Sequence, residues 1–182
     1  FIAHCRQGVN DPNDARRWNR LFVNDGSNNY TDQIDTFGLS DHHQSWAVDF
    51  GDWDNDGDLD MIVVNHDYAM QFFENDGTGH YTETGDGGLN ITGFLLQCHF
   101  EDFDNDGFDD LYICQPAGLP NRLFHNRGDG TFEDVTEKAG VGGLDNTACA
   151  LFVDFDNRGL QDLLVVCGTG PLLYVNRGNG TL

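Results

Sequence analysis

One acidic nine-residue phrase occurs three times and constrains the fold more than any other feature of the chain. The copies are DWDNDGDLD at Asp52–Asp60 (Asp loop I), DFDNDGFDD at Asp102–Asp110 (Asp loop II) and DFDNRGLQD at Asp154–Asp162 (Asp loop III). Alternate Asp residues around a glycine turn can direct several oxygens at one cation, and Ca²⁺ takes about six to eight oxygen ligands. Two carboxylates about 4 Å apart repel by ~4 kcal/mol near a protein surface. We therefore predict structural calcium sites in Asp loops I and II.

Each predicted site combines four side chains with one backbone carbonyl, that of Asp58 in Asp loop I and that of Phe108 in Asp loop II. The side-chain ligands are Asp52, Asp54, Asp56 and Asp60 in Asp loop I, and Asp102, Asp104, Asp106 and Asp110 in Asp loop II. An EF-hand needs an acidic twelfth residue, but Val63, Ile113 and Val165 hold that place. Magnesium prefers sites that keep several waters. The alternative to a calcium site is a solvated acidic turn.

Asp loop III departs from the pattern because Arg158 holds its fifth position. A guanidinium there can pair with Asp154, Asp156 or Asp162 and replace the charge of an ion. We predict a weak or lost metal site in this loop.

A longer repeat surrounds the Asp loops. Segments similar to Arg20–Gly26 begin at residues 71, 122 and 172, so that successive copies lie 51, 51 and 50 residues apart. Each unit is expected to form four short strands, of which the third ends in an Asn-Asp-Gly or Asn-Arg-Gly hairpin turn. The fourth strand begins with an aromatic residue, at Tyr30, Tyr81 and Phe132. No segment shows sustained helical periodicity.

Four-stranded units at a period of about 50 residues are typical of a β-propeller. We predict an all-β chain of antiparallel four-stranded blades, with about three to three and a half blades present. The expected divisions of this single partial propeller are a partial blade at 1–40, blades at 41–91 and 92–145, and a partial blade at 146–182. The chain is then an interior stretch of a longer polypeptide; closure by oligomerisation and an open array are the alternatives.

The repeat resembles the FG-GAP/VCBS family, the calcium-binding propellers typified by integrin α-subunit heads. The resemblance rests on D-x-D-x-D-G-x-x-D between two strands and on N-R-L-F-x-N-x-G-D-G-T-F-E-D-V-T at Asn121–Thr136. The FG-GAP tetrapeptides agree poorly, so the VCBS-like branch is the closer one. The resemblance implies calcium between the first and second strands of a blade and ligands on the opposite face. The family includes sugar-binding propellers and a few carbohydrate-active enzymes, so the fold does not settle the function.

Four cysteines are candidates for disulfides within blades. Reflection of each hairpin about its Asp loop places Cys98 opposite Cys114 and Cys149 opposite Cys167. Cys5 would then pair outside this segment, and buried free thiols are the alternative. Three N-x-[ST] sequons, at Asn29, Asn90 and Asn179, are glycosylation candidates. Together with calcium loops, these features favour a secreted or cell-surface location.

The loop Arg6–Asn19 contains the candidates for ligand contact, which are Arg6, Arg16, Arg17 and Trp18. Trp stacks on sugar rings and Arg binds carboxylates, so an acidic or sugar ligand could bind here. The alternative is charge pairing with neighbouring acidic loops.

The formal net charge of −22 argues against nucleic acid and anionic membranes as partners. No apolar run reaches the ~18–20 residues of a membrane span. No Gly-x-Ser-x-Gly, phosphate loop or His/Cys zinc spacing occurs, which favours a non-enzyme. We expect an extracellular calcium-stabilised recognition or adhesion module with a protein or glycan ligand. The alternatives are a lectin or polysaccharide-active enzyme of propeller fold, and a glycosylated structural subunit that self-assembles.

Overall fold

The computed structural model describes residues 1–85, 87–89, 91, 94–116 and 118–182. In these residues the chain forms four antiparallel sheets, which we call sheets N, I, II and III in chain order. Sheet N contains β1 (Phe22–Asn24) and β2 (Tyr30–Asp32), and sheet I contains β3 (Ser45–Gly51), β4 (Asp60–Asn65), β5 (Gln71–Asn75) and β6 (Tyr81–Gly85). Sheet II contains β7 (Gln97–Glu101), β8 (Asp110–Cys114), β9 (Arg122–Asn126) and β10 (Phe132–Asp134). Sheet III contains β11 (Thr147–Val153), β12 (Asp162–Cys167) and β13 (Gly170–Tyr174). Strands that are consecutive in the chain are neighbours in every sheet. The predicted all-β class is confirmed.

The strand boundaries follow the repeat closely. The last Asp of each Asp loop is the first residue of the strand that follows, namely Asp60 in β4, Asp110 in β8 and Asp162 in β12. The predicted aromatic residues likewise begin the last strand of their sheets, namely Tyr30, Tyr81 and Phe132. The repeat unit therefore corresponds to one sheet, and each Asp loop joins the first strand of its sheet to the second.

Central strands of sheets I and II are buried on both faces. In β4, Ile62 and Val64 pack into a cluster shared with sheet II, whereas Met61 and Val63 pack into a cluster with the N-terminal segment. Successive side chains of a strand point to opposite faces, so sheets I and II each lie between two neighbours. This arrangement explains why β4 is a continuous apolar run rather than an alternating one.

Hydrogen bonds join successive sheets through their first strands. The Asp49 carboxylate in β3 contacts the Nδ1 atom of His99 in β7 at 2.8 Å, and this hydrogen bond raises the pKa of His99. The Ala150 N–H in β11 donates to the side-chain oxygen of Gln97 in β7 at 2.8 Å. Sheets I, II and III therefore follow one another in chain order, in a β-propeller-like arrangement.

The structure adds one short helix that the sequence did not predict. Helix α1 (Thr136–Ala139) is a single turn, and Gly140 ends it in the left-handed region with φ of 82°. Four residues are too few to produce a helical period in the sequence. Among the described residues, no helix is long and apolar enough to cross a membrane.

The predicted pairing of Cys98 with Cys114 is wrong by one residue of register. Cys98 lies opposite Ile113, and Cys114 lies opposite Gln97. Because adjacent residues face opposite sides of a sheet, Cys98 packs in the cluster between sheets I and II and Cys114 in the cluster between sheets II and III. Burial raises the pKa of the Cys114 thiol to about 12.

The predicted pairing of Cys149 with Cys167 is wrong for the same reason. Cys149 lies opposite Val166, and Cys167 lies opposite Thr147 beyond a bulge. All five cysteines are described, and all five are free thiols. The buried free thiol is therefore the interpretation that the structure favours for Cys98 and Cys114.

Candidate metal loops and a cavity at the opposite end of the strands

The Asp loops share a turn built on their first Asp. In Asp loop I, the Asp52 carboxylate accepts the N–H groups of Asp56 and Gly57, both at 3.0 Å. The turn needs the left-handed conformation at Asn55, with φ of 62°, and at Gly57, with φ of 98°. Asn and Gly tolerate this conformation best. The same pair recurs as Asn105 and Gly107 in Asp loop II and as Asn157 and Gly159 in Asp loop III.

Asp loop I brings three carboxylates together. Oxygens of Asp52, Asp54 and Asp60 lie within 4.8 Å of one another. Asp60 is fully buried; its Oδ1 accepts the Asn75 N–H at 2.9 Å, whereas its Oδ2 is buried without a hydrogen-bond partner. Burial raises the pKa of Asp60 to about 7, and the charges of Asp54 and Asp56 act in the same direction.

The donor set of Asp loop I fits a hard divalent cation. A buried carboxylate oxygen without a partner is costly unless a positive group faces it. Three carboxylates converge there, and oxygen is the ligand that Ca²⁺ takes. One of the predicted side-chain ligands, Asp56, is not in the compact group; it is exposed, and its Oδ1 accepts the Asp58 N–H at 3.0 Å. The Asp58 ligand expected from the sequence is a backbone carbonyl, and it stays a prediction.

Asp loop II brings Asp102, Asp104 and Asp106 together, again with oxygens within 4.8 Å of one another. Burial, followed by the charge of Asp106, raises the pKa of Asp104, whose Oδ1 is buried without a partner. Phe108 donates its N–H to Asp106 Oδ1 at 3.0 Å. Asp110 is fully buried and belongs to a second compact group, which the sequence did not predict.

That second group contains a histidine from β9. Atoms of Asp104, Asp110 and His125 lie within 4.8 Å of one another. His125 Nδ1 is 3.1 Å from Asp110 Oδ1 and 3.5 Å from Asp104 Oδ2, and Nε2 is 3.7 Å from Asp106 Oδ2. The Asn126 N–H donates to Asp110 Oδ1 at 2.8 Å. Because His125 immediately precedes Asn126, its position in the sequence is the feature that could have indicated this contact.

In Asp loop III a guanidinium occupies the region where the carboxylates converge. Arg158 Nε donates to both Asp156 oxygens at 2.6 Å, and its NH2 group donates to Asp162 Oδ1 at 3.0 Å. Its NH1 group donates to the Asn176 carbonyl at 2.9 Å. The Asp154 carboxylate accepts the Arg158 backbone N–H at 2.9 Å instead. A permanent cation of the protein thus neutralises this loop.

Buried asparagines connect Asp loops I and II to the sheet that follows each of them. The Asn126 amide in sheet II donates to the Trp53 carbonyl of Asp loop I at 2.6 Å. The Asn176 amide donates to the Phe103 carbonyl of Asp loop II at 2.6 Å. Both asparagines are almost completely inaccessible to solvent. The Asn of the predicted hairpin turn therefore also fixes the neighbouring loop.

Two of the three sequons lie in described residues. Asn29 is exposed, and its amide donates to Asp25 at 2.9 Å. Asn179 is also exposed, and its Oδ1 accepts the Thr181 hydroxyl at 2.7 Å. Asn90 lies outside the described residues.

The four predicted contact residues of the loop after residue 5 have different partners. Arg16 pairs with Asp14, and the buried Arg17 pairs with Asp67. Trp18 stacks on the His42 ring, with centroids 4.4 Å apart. Charge pairing thus accounts for two of the predicted residues. Arg6 differs, because its guanidinium forms no ion pair with any described residue.

Arg6 lines a cavity of about 600 Å³ at the end of β3 and β4 that lies away from Asp loop I. Trp46 and His66 line it as well. Trp46 is 44% exposed, and its ring centroid lies 5.4 Å from that of His66 and 6.4 Å from that of Phe94. The backbone N–H of Arg6 donates to the Gln44 side-chain oxygen at 2.7 Å, which holds the wall in place.

Comparison with known proteins relates this geometry to a repeat family. The family model of FG-GAP-like repeats matches residues 52–113 and 102–165, which together span more than half of the chain. No protein of curated function matches. One similar solved structure is a lectin from Agrocybe aegerita, described by its specific recognition of non-reducing terminal N-acetylglucosamine. The chain is 18% identical to it with a TM-score of 0.55, and the match covers 89% of this chain and 44% of the lectin chain. The chain thus spans less than half of the lectin's length, and the likeness is one of fold.

Proposed function

Because the chain belongs to the FG-GAP-like repeat family, we propose that it is a calcium-stabilised β-propeller segment that acts as a recognition or adhesion module. Its blades would be those expected at 41–91 and 92–145, with partial blades at either end. We place it at the cell surface or in a secreted protein, where millimolar calcium fills such loops without high affinity. The observation that carries the proposal is the separation of two features, the acidic loops at one end of the strands and the open cavity at the other.

At the acidic end, Asp52, Asp54 and Asp60 would hold the ion of Asp loop I. Bound calcium supplies positive charge that offsets the burial of these carboxylates. The last Asp of the loop begins β4, and the first follows β3, so neutralising the loop stabilises the pairing of the two strands. In Asp loop II, the compact group of Asp102, Asp104 and Asp106 would hold the cation, whereas Arg158 supplies the charge in Asp loop III.

At the other end, the cavity offers a contact surface on a rigid support. Its walls combine an exposed aromatic ring, Trp46, with a cation, Arg6, that forms no ion pair within the described residues. Arg6 is notable on a chain with 31 acidic and nine basic residues, because many carboxylates are available to pair with it. A guanidinium beside an exposed ring suits a ligand that presents both an acceptor oxygen and a flat apolar face.

A second, narrower candidate is carbohydrate binding. The cavity favours it, since a sugar ring can stack on Trp46 while its hydroxyl or carboxylate oxygens accept hydrogen bonds from Arg6. The solved lectin with a similar fold is consistent with this ligand class, although the low identity transfers no ligand.

The test is a glycan array probed with the wild-type chain and with Trp46→Ala and Arg6→Ala variants in calcium. We expect binding by the wild type and a loss of about tenfold or more in each variant, since a central aromatic anchor contributes about 2 kcal/mol or more. Trp18→Ala is the matched control, because its ring stacks on His42 and does not line the cavity. Equal losses in the Trp46 and Trp18 variants would refute a role of the cavity. Binding to a protein partner but to no glycan would support recognition and reject the carbohydrate candidate.

A further inference from the structure

We propose that the ligand of the open cavity is an acidic saccharide, whose carboxylate or sulfate group binds in a second, smaller cavity between Arg6 and Arg16. The inference rests on the proposed function in one respect, namely that the ligand binds at the end of the strands away from the Asp loops. It goes beyond that proposal in assigning a separate site to the negative charge of the ligand and in naming the class of sugar.

The smaller cavity has a volume of about 320 Å³, and we call it the anion pocket. It is lined by Ala3, His4, Cys5, Arg6 and Arg16. Ala3, Cys5 and Arg6 also line the larger cavity that contains Trp46. One ligand can therefore occupy both cavities, with Arg6 at the boundary between them.

The lining of the two cavities is an exception on this strongly acidic chain. The chain contains 31 acidic and nine basic residues, yet no Asp or Glu is among the described residues that line either cavity. Two of the nine basic residues line the anion pocket. A negatively charged group thus meets two cations here and fewer repulsive carboxylates than elsewhere on the surface, whereas a neutral ligand gains nothing from this charge.

Arg6 presents its guanidinium from a fixed backbone. Its N–H donates to the Gln44 side-chain oxygen at 2.7 Å, and its carbonyl accepts the Val9 N–H at 3.3 Å. Gln44 is buried and donates to the Val9 carbonyl at 3.2 Å. The Arg6 guanidinium itself forms no hydrogen bond or ion pair with any described residue. Its donors are available to an acidic group, and a guanidinium binds a carboxylate in a bidentate geometry.

Arg16 already binds one carboxylate at the edge of this pocket. Its Nε donates to the two Asp14 oxygens at 2.8 and 3.0 Å. The hydrogen bonds from Arg16 and, to a smaller extent, the charge of Arg6 lower the pKa of Asp14 to about 2, so both arginines stabilise a negative charge here. Asp14 does not line the anion pocket, and the NH1 group of Arg16 forms no hydrogen bond within the described part of the chain. Arg16 therefore retains donors for a second acidic group.

The larger cavity supplies the apolar contact that distinguishes a saccharide from a simple anion. An inorganic anion would use the anion pocket alone and gain nothing from the exposed Trp46 ring. A sugar ring can stack on Trp46 while an acidic substituent of the same or the next ring reaches Arg6 and Arg16. Uronates and sulfated sugars combine a ring and an acidic group in this way.

The experiment is a glycan array in calcium that presents each acidic glycan beside a neutral counterpart: uronates beside their methyl esters, and sulfated glycans beside their desulfated parents. We expect the wild type to bind acidic members at least about tenfold more tightly, since a hydrogen bond to a charged group contributes enough for about a tenfold change. Arg16→Ala should remove this preference and leave binding to the neutral members unchanged. Arg122→Ala is the matched control, because Arg122 is also an exposed arginine paired with an Asp and lines neither cavity. A preference for uronates or for sulfated glycans supports the inference and identifies the acidic group.

A variant with the opposite expected effect keeps the test valid if Arg16→Ala folds poorly. Asp14→Asn removes the carboxylate that competes for Arg16 and should strengthen binding to the acidic members, which a loss of fold would weaken. Equal binding of acidic and neutral members by the wild type, with the loss in Trp46→Ala retained, would overturn this inference and leave the carbohydrate candidate intact. Binding to a protein partner but to no glycan would overturn the inference and leave the recognition role. Binding to neither would overturn the two proposals together.

Discussion

Replacement of the buried Asn126 by Ala tests how strongly the repeat units depend on one another. The Asn126 amide donates to the Trp53 carbonyl of Asp loop I at 2.6 Å and to the Asp109 carbonyl at 3.1 Å. Its Oδ1 accepts the Gly128 N–H at 3.0 Å. The alanine variant removes all three contacts and leaves the buried Trp53 carbonyl without this donor.

The magnitude follows from the number of hydrogen bonds and from burial. Each hydrogen bond contributes about 1 kcal/mol net, and a buried group left without a partner costs about 1–3 kcal/mol. The loss of three hydrogen bonds and of the donor to the Trp53 carbonyl is therefore expected to lower the free energy of unfolding of Asn126→Ala by about 4–6 kcal/mol. For a chain of this length, that corresponds to a fall in melting temperature of about 8–24 °C.

Asn75→Ala is the matched control. The Asn75 amide donates to the Leu59 carbonyl of its own Asp loop at 3.1 Å in an exposed contact, and its Oδ1 accepts the N–H groups of Gly77 at 3.2 Å and Gly79 at 3.1 Å in the hairpin turn. Water can replace these contacts. We expect a loss of only about 1 kcal/mol there. Differential scanning calorimetry of both variants at one calcium concentration makes the comparison. Equal falls in melting temperature would refute the argument that Asn126 couples one sheet to the preceding loop.

Three further predictions concern charge and thiols. In EDTA, the free energy of unfolding should fall as pH rises from about 4 to about 7. Burial raises the pKa values of Asp60 and Asp110 to about 7 in the folded chain, so over this range the folded chain binds more protons than the unfolded chain. Urea unfolding at several pH values tests the sign. Arg158→Asp recreates the acidic fifth position in Asp loop III and should add one calcium site by calorimetry; an unchanged stoichiometry would contradict the neutralising role of Arg158. Thiol titration of the unfolded, unreduced chain should count five free thiols, and a count of one or three would restore the disulfides.

The sequence predicted those features that depend on local spacing. The period of about 50 residues separates one sheet from the next, and the aromatic residues begin the strands where expected because alternation and turn residues act over a few positions. Asp52, Asp54 and Asp60 converge as their spacing predicts. Arg158 reaches two of the three carboxylates proposed for it, since its position within the turn determines its reach.

The sequence did not predict features that depend on exact register or on contacts between distant residues. A change of one residue moves Cys98 and Cys114 to opposite faces of sheet II, and the sequence pattern around Asp loop II does not distinguish the two registers. His125 meets Asp110 across the pairing of β8 with β9, 15 residues away. Arg17 reaches Asp67 at a separation of 50 residues, which no local pattern can indicate.

Calcium titration of Asp60→Asn beside the wild type tests the central claim, that a divalent ion offsets the burial of carboxylates in Asp loop I. Calcium at about 100 times its dissociation constant stabilises a folded chain by about 2.7 kcal/mol. The melting temperature of the wild type should therefore rise by about 5–10 °C relative to EDTA. In the variant, the amide oxygen can still accept the Asn75 N–H, but the buried charge is gone. The variant in EDTA should melt at least as high as the wild type in EDTA and gain less from calcium. A variant that is destabilised in EDTA yet responds fully to calcium would contradict the claim.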